Sequence, residues 1–303
     1  FSPEAYGASP GQRDIFVYVN WTDRWPAKQA ALDMVVAAFQ RAPGKNPDGT
    51  TGIQLHFILG GEITYADDLP YTEEGLTPLR DQHLPWKVSF PLHYLIFSDH
   101  LQERDASGVS PRIPGLNFVV TPKLVENLTL LGEAGTIMHE LGHNLGLKHG
   151  GNDDENFKPN YMSVMNYLYQ FDGLQQSDGD AAPRVLDFTR FATAAVDERR
   201  LDEVVGFATH GEPDGITLYK PWYCKQLTPK KNNCDAWGFI NGSVPGGLDF
   251  NGNGRISRPV RLLPVRGDLN GDGMLLGFPE GQNDWAVITF AGGANSTSRV
   301  VTD

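Results

Sequence analysis

The chain has 303 residues, a formal net charge of -12, 20% charged residues and 40% apolar residues. That length suffices for one large or two moderate domains, and the balance is that of an ordinary globule, which excludes a disordered chain. The acidity excludes nucleic acid and anionic membrane as natural partners, and no run approaches the roughly eighteen apolar residues of a membrane span.

Taken in order, the chain starts at Phe1 without a basic-then-apolar leader, which reads as a processed or engineered start. Asp14 to Trp21 places Ile15, Val17 and Val19 on one face of a predicted strand and Phe16 and Tyr18 on the other. A helix follows, with Pro26 in its first turn and Ala30, Leu32, Val35, Val36, Ala38 and Phe39 along its apolar side, ending before Pro43 and Gly44. Ile53 to Leu59 alternates like a strand with Ile53, Leu55, Phe57 and Leu59 toward the core. Phe90 to Phe97 is apolar almost throughout, as in a strand covered on both faces, and Leu116 to Thr121 is a further strand. The order of strand, helix, strands and then another helix predicts an α/β (α+β) arrangement with a mixed twisted sheet.

That last helix lies within TIMHELGHNLGLKHG, which spells H-E-x-x-H-x-x-G-x-x-H. His139 and His143 are four apart and share a helix face, so both rings can aim at one ion, while Glu140 sits about 100° around the axis and is placed to handle protons. Gly146 can enter the left-handed conformation, ending the helix and returning His149 toward the metal. Three imidazoles leave the fourth tetrahedral position of a zinc ion for water. Ile137, Leu141 and Leu145 would bury the opposite side of the helix. Two plainer readings are histidines that merely pack and a closed structural zinc site; the second usually recruits thiolates, and this motif has none.

The extended motif resembles the metzincin clan of zinc endopeptidases. The resemblance implies a metzincin-like zincin fold whose upper subdomain carries the active-site helix above a smaller, irregular lower subdomain. It also implies a methionine-containing turn beneath the zinc, and NYMSVMNYLYQ supplies Ser163, Met165 and Tyr167. Met165 is the candidate floor, with mere filling of a core gap by Met162 and Met165 as the alternative. By resemblance to the S-x-M-x-Y pattern of astacins and serralysins, Tyr167 contacts the metal or the reacting oxyanion. Leu168, Tyr169 and Phe171 follow where clan members build a pocket wall. In the clan an antiparallel edge strand pairs with extended substrate; Leu116 to Thr121 is the candidate, with a strand that merely completes the sheet as the alternative. No single metzincin family is matched throughout: Gly150 follows the third histidine where adamalysins have aspartate. The likeness spans roughly residues 14 to 207.

Phe191 to Val205 reads as an amphipathic lower-subdomain helix using Ala195, Val196 and Leu201, stopped by Gly206. The expected organisation is a catalytic domain over 1–208, divided into an upper part (1–149) and a lower part (150–208), and a loop-rich extension over 209–303. Within the extension Asp249, Asn251 and Asn253, and then Asp268, Asn270 and Asp272, occupy positions one, three and five of calcium-loop openings. Position twelve is Val260 in one and Pro279 in the other where a bidentate glutamate belongs, so completing ligands must come from elsewhere, Asp284 being one candidate; Asx turns without metal are the alternative. Cys224 and Cys234 flank a polar loop with Pro229, Lys230 and Lys231 and read as a disulfide clip outside the cytosol, with free thiols as the alternative. Asn20, Asn127, Asn241 and Asn295 head N-x-S/T triplets. His56, His83, His93, His100 and His210 lack ligand spacing, and Asp153, Asp154 and Glu155 read as a solvated loop.

The resulting expectation is a secreted zinc endopeptidase acting on protein or peptide substrates, with zinc and calcium as cofactors, zinc-activated water as nucleophile and Glu140 as general base. Two other readings remain open: a secreted calcium-dependent binding module on a non-catalytic zincin fold, and a zinc hydrolase of a non-peptide amide. Oligomeric state leaves no mark on the sequence.

Overall fold

The computed structural model describes residues 2–22, 29–65, 68–86, 92–99, 101–102, 105–121, 129–176, 183–210, 219–228, 233–257, 268–289 and 301–302. Expectations on Pro26, Phe90, His100, Asn127, Pro229, Lys230, Lys231, Val260 and Asn295 lie outside the described residues. By internal contacts the chain divides into one unit of Phe1–Lys148 with Val287–Asp303 and a second of His149–Ala286. Asp249, Asp268 and Met165 all fall in the second unit.

In the first unit, β1 (Asp14–Trp21), β2 (Gln54–Glu62), β3 (His93–Phe97), β4 (Gly108–Ser110) and β5 (Asn117–Val120) form a sheet with the short strand Val301–Thr302. The spatial order is Val301–Thr302, β4, β5, β3, β1, β2. β1 pairs in parallel with β2 and β3, and β3 with β5, whereas β4 runs antiparallel to β5 and Val301–Thr302 antiparallel to β4. The unbroken apolar run of β3 reflects its central place: all five residues are buried. Phe16, Tyr18, Tyr94, Ile96, Val109 and Val119 meet on one face with Leu76 and Leu79 of α2 (Glu73–His83). α1 (Gln29–Gln40) buries Ala31, Leu32, Val35, Ala38 and Phe39 and packs on β2 and on α3 (Leu130–Asn144).

Two sequence expectations change here. Leu116 to Thr121 is not an edge: β5 lies between β3 and β4, and its backbone is paired on both sides. The antiparallel strand is the three-residue β4, too short to leave an alternating pattern. Leu59, expected toward the core, is 50% exposed on β2, the last strand of the sheet among the described residues.

The second unit is built from short pairs. β6 (Leu174–Gln176) pairs with β7 (Arg184–Val185); β8 (Ala192–Thr193) and β9 (Val196–Asp197) pair with β10 (Thr209–His210) and with Gly277–Phe278. β11 (Tyr219–Lys220) joins β6, and β12 (Trp222–Thr228) with β13 (Asn233–Phe239) makes a hairpin closed by the Cys224–Cys234 disulfide, whose Cα atoms are 5.5 Å apart. Met162, Tyr169, Phe191, Leu201, Phe207, Tyr219, Leu248 and Phe250 share one apolar core. The helix expected over Phe191 to Val205 is absent: this segment is β8, β9 and a single 3-10 turn, Glu198–Arg200. Phe191, Val196 and Leu201 reach the core while Ala195, Val204 and Val205 are exposed, and remote backbone partners outcompete local helical bonds, with Thr193 N and O bound to Gly281 and Glu198 N to Leu276 O.

Candidate metal centre

The helix that carries the motif is fixed at both ends. Thr129 caps α3 by accepting from Gly132 N at 3.2 Å, satisfying one donor of the first turn. At the other end Gly146 N reaches His143 O (2.9 Å) and Leu147 N reaches Gly142 O (3.0 Å), the paired bonds of a Schellman stop. Gly146 has φ +100°, a conformation that a side chain would strain, and Thr289 N holds Leu145 O at 2.8 Å. Residues 132–144 are all buried, so the helix has little freedom to rotate its ligands.

This stop brings His149 back. The candidate ligand nitrogens of His139, His143 and His149 lie within 4.8 Å of one another, and all three residues are buried. His143 Nδ1 is 2.8 Å from Leu147 O, so this nitrogen carries the proton and Nε2 is left with its lone pair for an ion. The Nε2 atoms of His139 and His143 are buried and make no hydrogen bond among the described residues. Three imidazoles fit zinc, whose bonds of about 2.0–2.1 Å draw such rings together, and no fourth histidine, cysteine or carboxylate joins the group among the described residues.

Glu140 is held by β4. Ser110 Oγ lies 2.8 Å from Glu140 O and 2.9 Å from its Oε2, and a Cβ built on Gly108 would stand 2.3 Å from Oε1. One residue of the strand grips the carboxylate and the other makes room for it. Neither carries a sequence signature that pattern reading detects.

In the second unit, the His149 and Tyr167 rings pack with centroids 4.6 Å apart. Met165 is buried, and the turn around it is tied by Asn166, which donates to Lys158 O and Tyr161 O at 2.8 and 2.9 Å and accepts from Leu168 N. Lys158 is fully buried and donates to Asp153 (2.7 Å) and Glu280 O (2.8 Å), so Asp153 is part of this framework and not a merely solvated loop residue. Asp284, named from the sequence as a candidate completing ligand, accepts from Tyr161 and Ser163, both at 2.7 Å, and from Thr189 N. Burial raises its carboxyl to about 6, against the opposing effect of these donors.

The two loop openings share one wiring. Asp249 accepts from Asn253 N and Gly254 N, and Asp268 accepts from Asp272 N and Gly273 N. The carboxylate missing at position twelve has a counterpart from outside each loop: Glu203 accepts from Asn251 N and Ser257 N, and Glu198 from Leu269 N (2.6 Å) and Leu276 N (2.9 Å). Glu198 and Glu203 escaped sequence reading because they lie 46 or more positions before the loops that they join. Of the other histidines, His56 pairs with Asp14 at 2.7 Å, while His93 is buried and lowered by desolvation to about 4. Asn20 is buried and bound to Gly61 O and Tyr94, so its triplet presents no surface acceptor.

No protein-family model matches the chain, and no curated protein matches it. Among solved structures it is similar to the crystal structure of metalloproteinase-II from Bacteroides fragilis, at 13% identity and a TM-score of 0.33 over 54% of this chain and 53% of that one. The chain thus spans about half the length of that structure.

Proposed function

We propose that the chain is a secreted zinc-dependent endopeptidase of metzincin-like organisation. The observation that carries this reading is the meeting of three buried imidazoles, with a carboxylate one residue after the first of them. His139, His143 and His149 would hold a zinc ion, with Leu147 O fixing the tautomer of the second, and the ion would supply Lewis-acid polarisation and a more acidic water. Glu140 takes a proton at its carboxylate during attack on the scissile carbonyl and returns one to the leaving amine. Tyr167 donates to the developing oxyanion, and Met165 supports the site from the turn below. The disulfide supports an oxidising compartment.

Glu140→Ala should retain zinc, measured by elemental analysis, and lose peptide-library cleavage by at least about a hundredfold, in line with the typical contribution of a general base. Cleavage independent of Glu140 would refute the assignment, and cleavage of non-peptide amides alone would favour the other hydrolase reading. We also propose calcium in the two loops, with Asp249, Asn251, Asn253 and Glu203 in one and Asp268, Asn270, Asp272 and Glu198 in the other. Calcium should raise the melting temperature of the metal-stripped protein, and Asp268→Ala should abolish part of that rise; an unchanged melt leaves these as Asx turns.

A further inference from the structure

Among the described residues only one non-glycine side chain sits on a left-handed backbone, Phe157 at φ +56°. That conformation is an outlier for a bulky residue, and outliers of this kind persist where the surroundings dictate them, often at functional sites. The strain does not serve the core. Phe157 is 37% exposed and stands outside the apolar cluster of its unit.

Its ring instead continues a row that starts at the metal ligand. From His149 the row passes to Tyr167 at 4.6 Å, from Tyr167 to Phe157 at 5.8 Å edge-on, and from Phe157 to Trp237 at 6.0 Å with the planes 8° apart. Trp237 arrives from a distant part of the sequence. It lies on β13 directly across the ladder from Cys224, so the Cys224–Cys234 clip holds the strand that presents it. Phe157 and Trp237 each leave ring surface accessible, and all four rings belong to one compact unit.

We propose that Phe157 and Trp237 form a substrate side-chain subsite that selects an aromatic residue near the scissile bond. This rests on the peptidase reading, and it deepens that reading by naming the substrate class. Rings that meet edge to face and offset-parallel, as these do, extend favourably to one more ring, whose quadrupole finds both a face and an edge. A flexible aliphatic side chain gains area from such a row without that matched geometry. An arginine or lysine would be held by the ring faces alone.

The test uses three peptides of one sequence with Phe, Ala or Arg at each position flanking the cut, and two readouts. Cleavage by the wild type is expected to favour Phe over Ala at one position, and the ratio of kcat/KM for the two should fall about tenfold in Trp237→Ala and in Phe157→Ala. Phe157→Gly removes the ring while relieving the backbone, so its loss of selectivity would not be ascribable to misfolding. The second readout is equilibrium binding to the Glu140→Ala protein, which should show the same Trp237-dependent preference for Phe. A wild type that cuts no peptide refutes the peptidase reading, and the binding arm then still decides the subsite. Retention of the Phe-to-Ala ratio in all three variants, binding without aromatic preference, or a preference for Arg overturns the proposal.

Discussion

In the first unit β3 is buried from end to end and β1 is buried over six of its eight residues, so their support is apolar area removed from water. In the second unit most strands are two or three residues long, and buried carboxylates take the place of ladders: Asp187, Glu198, Glu203 and Asp284 accept from donors far along the chain, and Asp249 and Asp268 from the backbone of their own loops. Apolar burial is non-directional and tolerates loose partners. A buried carboxylate is stable only while each of its donors stays in place. The first unit should therefore respond to loss of volume and the second to loss of acceptors and to proton concentration.

The largest effects should come from one truncation in each unit. Phe118→Ala in β5 should cost about 3–5 kcal/mol by emptying core volume. Asp187→Ala should cost a similar amount, about 3–5 kcal/mol, because its carboxylate serves Arg190, Trp285 at 2.8 Å and Tyr219. Urea melts resolve the two: a reversal, with the Asp187 variant near wild type, would break the contrast between units.

Asp284 gives the next effect. Its folded carboxyl is raised from 3.8 to about 6, so the folded state binds the proton more tightly than the unfolded chain. The associated stability is fully present below about pH 4 and is lost as pH rises through 6, by about 3 kcal/mol in total. The difference between wild type and Asp284→Asn, followed by urea midpoint from pH 4 to 7, should trace this decline. A flat difference would mean that the Tyr161 and Ser163 donors fully offset burial.

The smallest effect sharpens the comparison at Glu140, the proposed general base, whose carboxylate lies in the apolar unit but is gripped by a hydroxyl. Ser110→Ala should lower kcat with KM nearly unchanged, by the worth of one hydrogen bond to a charged group, about 1.5–3 kcal/mol. Ser110→Thr should restore most of it. Equal losses in kcat for both variants would show that the strand, not the hydroxyl, positions Glu140.

The same contrast governs what was readable beforehand. Ile15 to Val19 and His93 to Phe97 announce their burial through local pattern, and the three histidines announce theirs through a spacing that only a helix and a glycine stop can satisfy. Leu116 to Thr121 was recognisable as a strand but not as an interior one, because pairing on both sides depends on β4, whose three residues carry no periodicity. Phe191 to Val205 has helical spacing of apolar residues yet is extended, since the partners of its backbone lie near residues 209, 277 and 281. Asp284 and Glu198 illustrate the limit: a carboxylate's role depends on which remote donors arrive, and nothing adjacent in sequence records them.

Gly108 leaves one hydrogen where any other amino acid would put a carbon 2.3 Å from the Glu140 carboxylate. A Gly108→Ala allele would thus keep every residue of the H-E-x-x-H signature while pushing the Glu140 side chain from its place. If Glu140 is the general base proposed above, that signature alone does not mark a working site, and position 108 is the letter to check first.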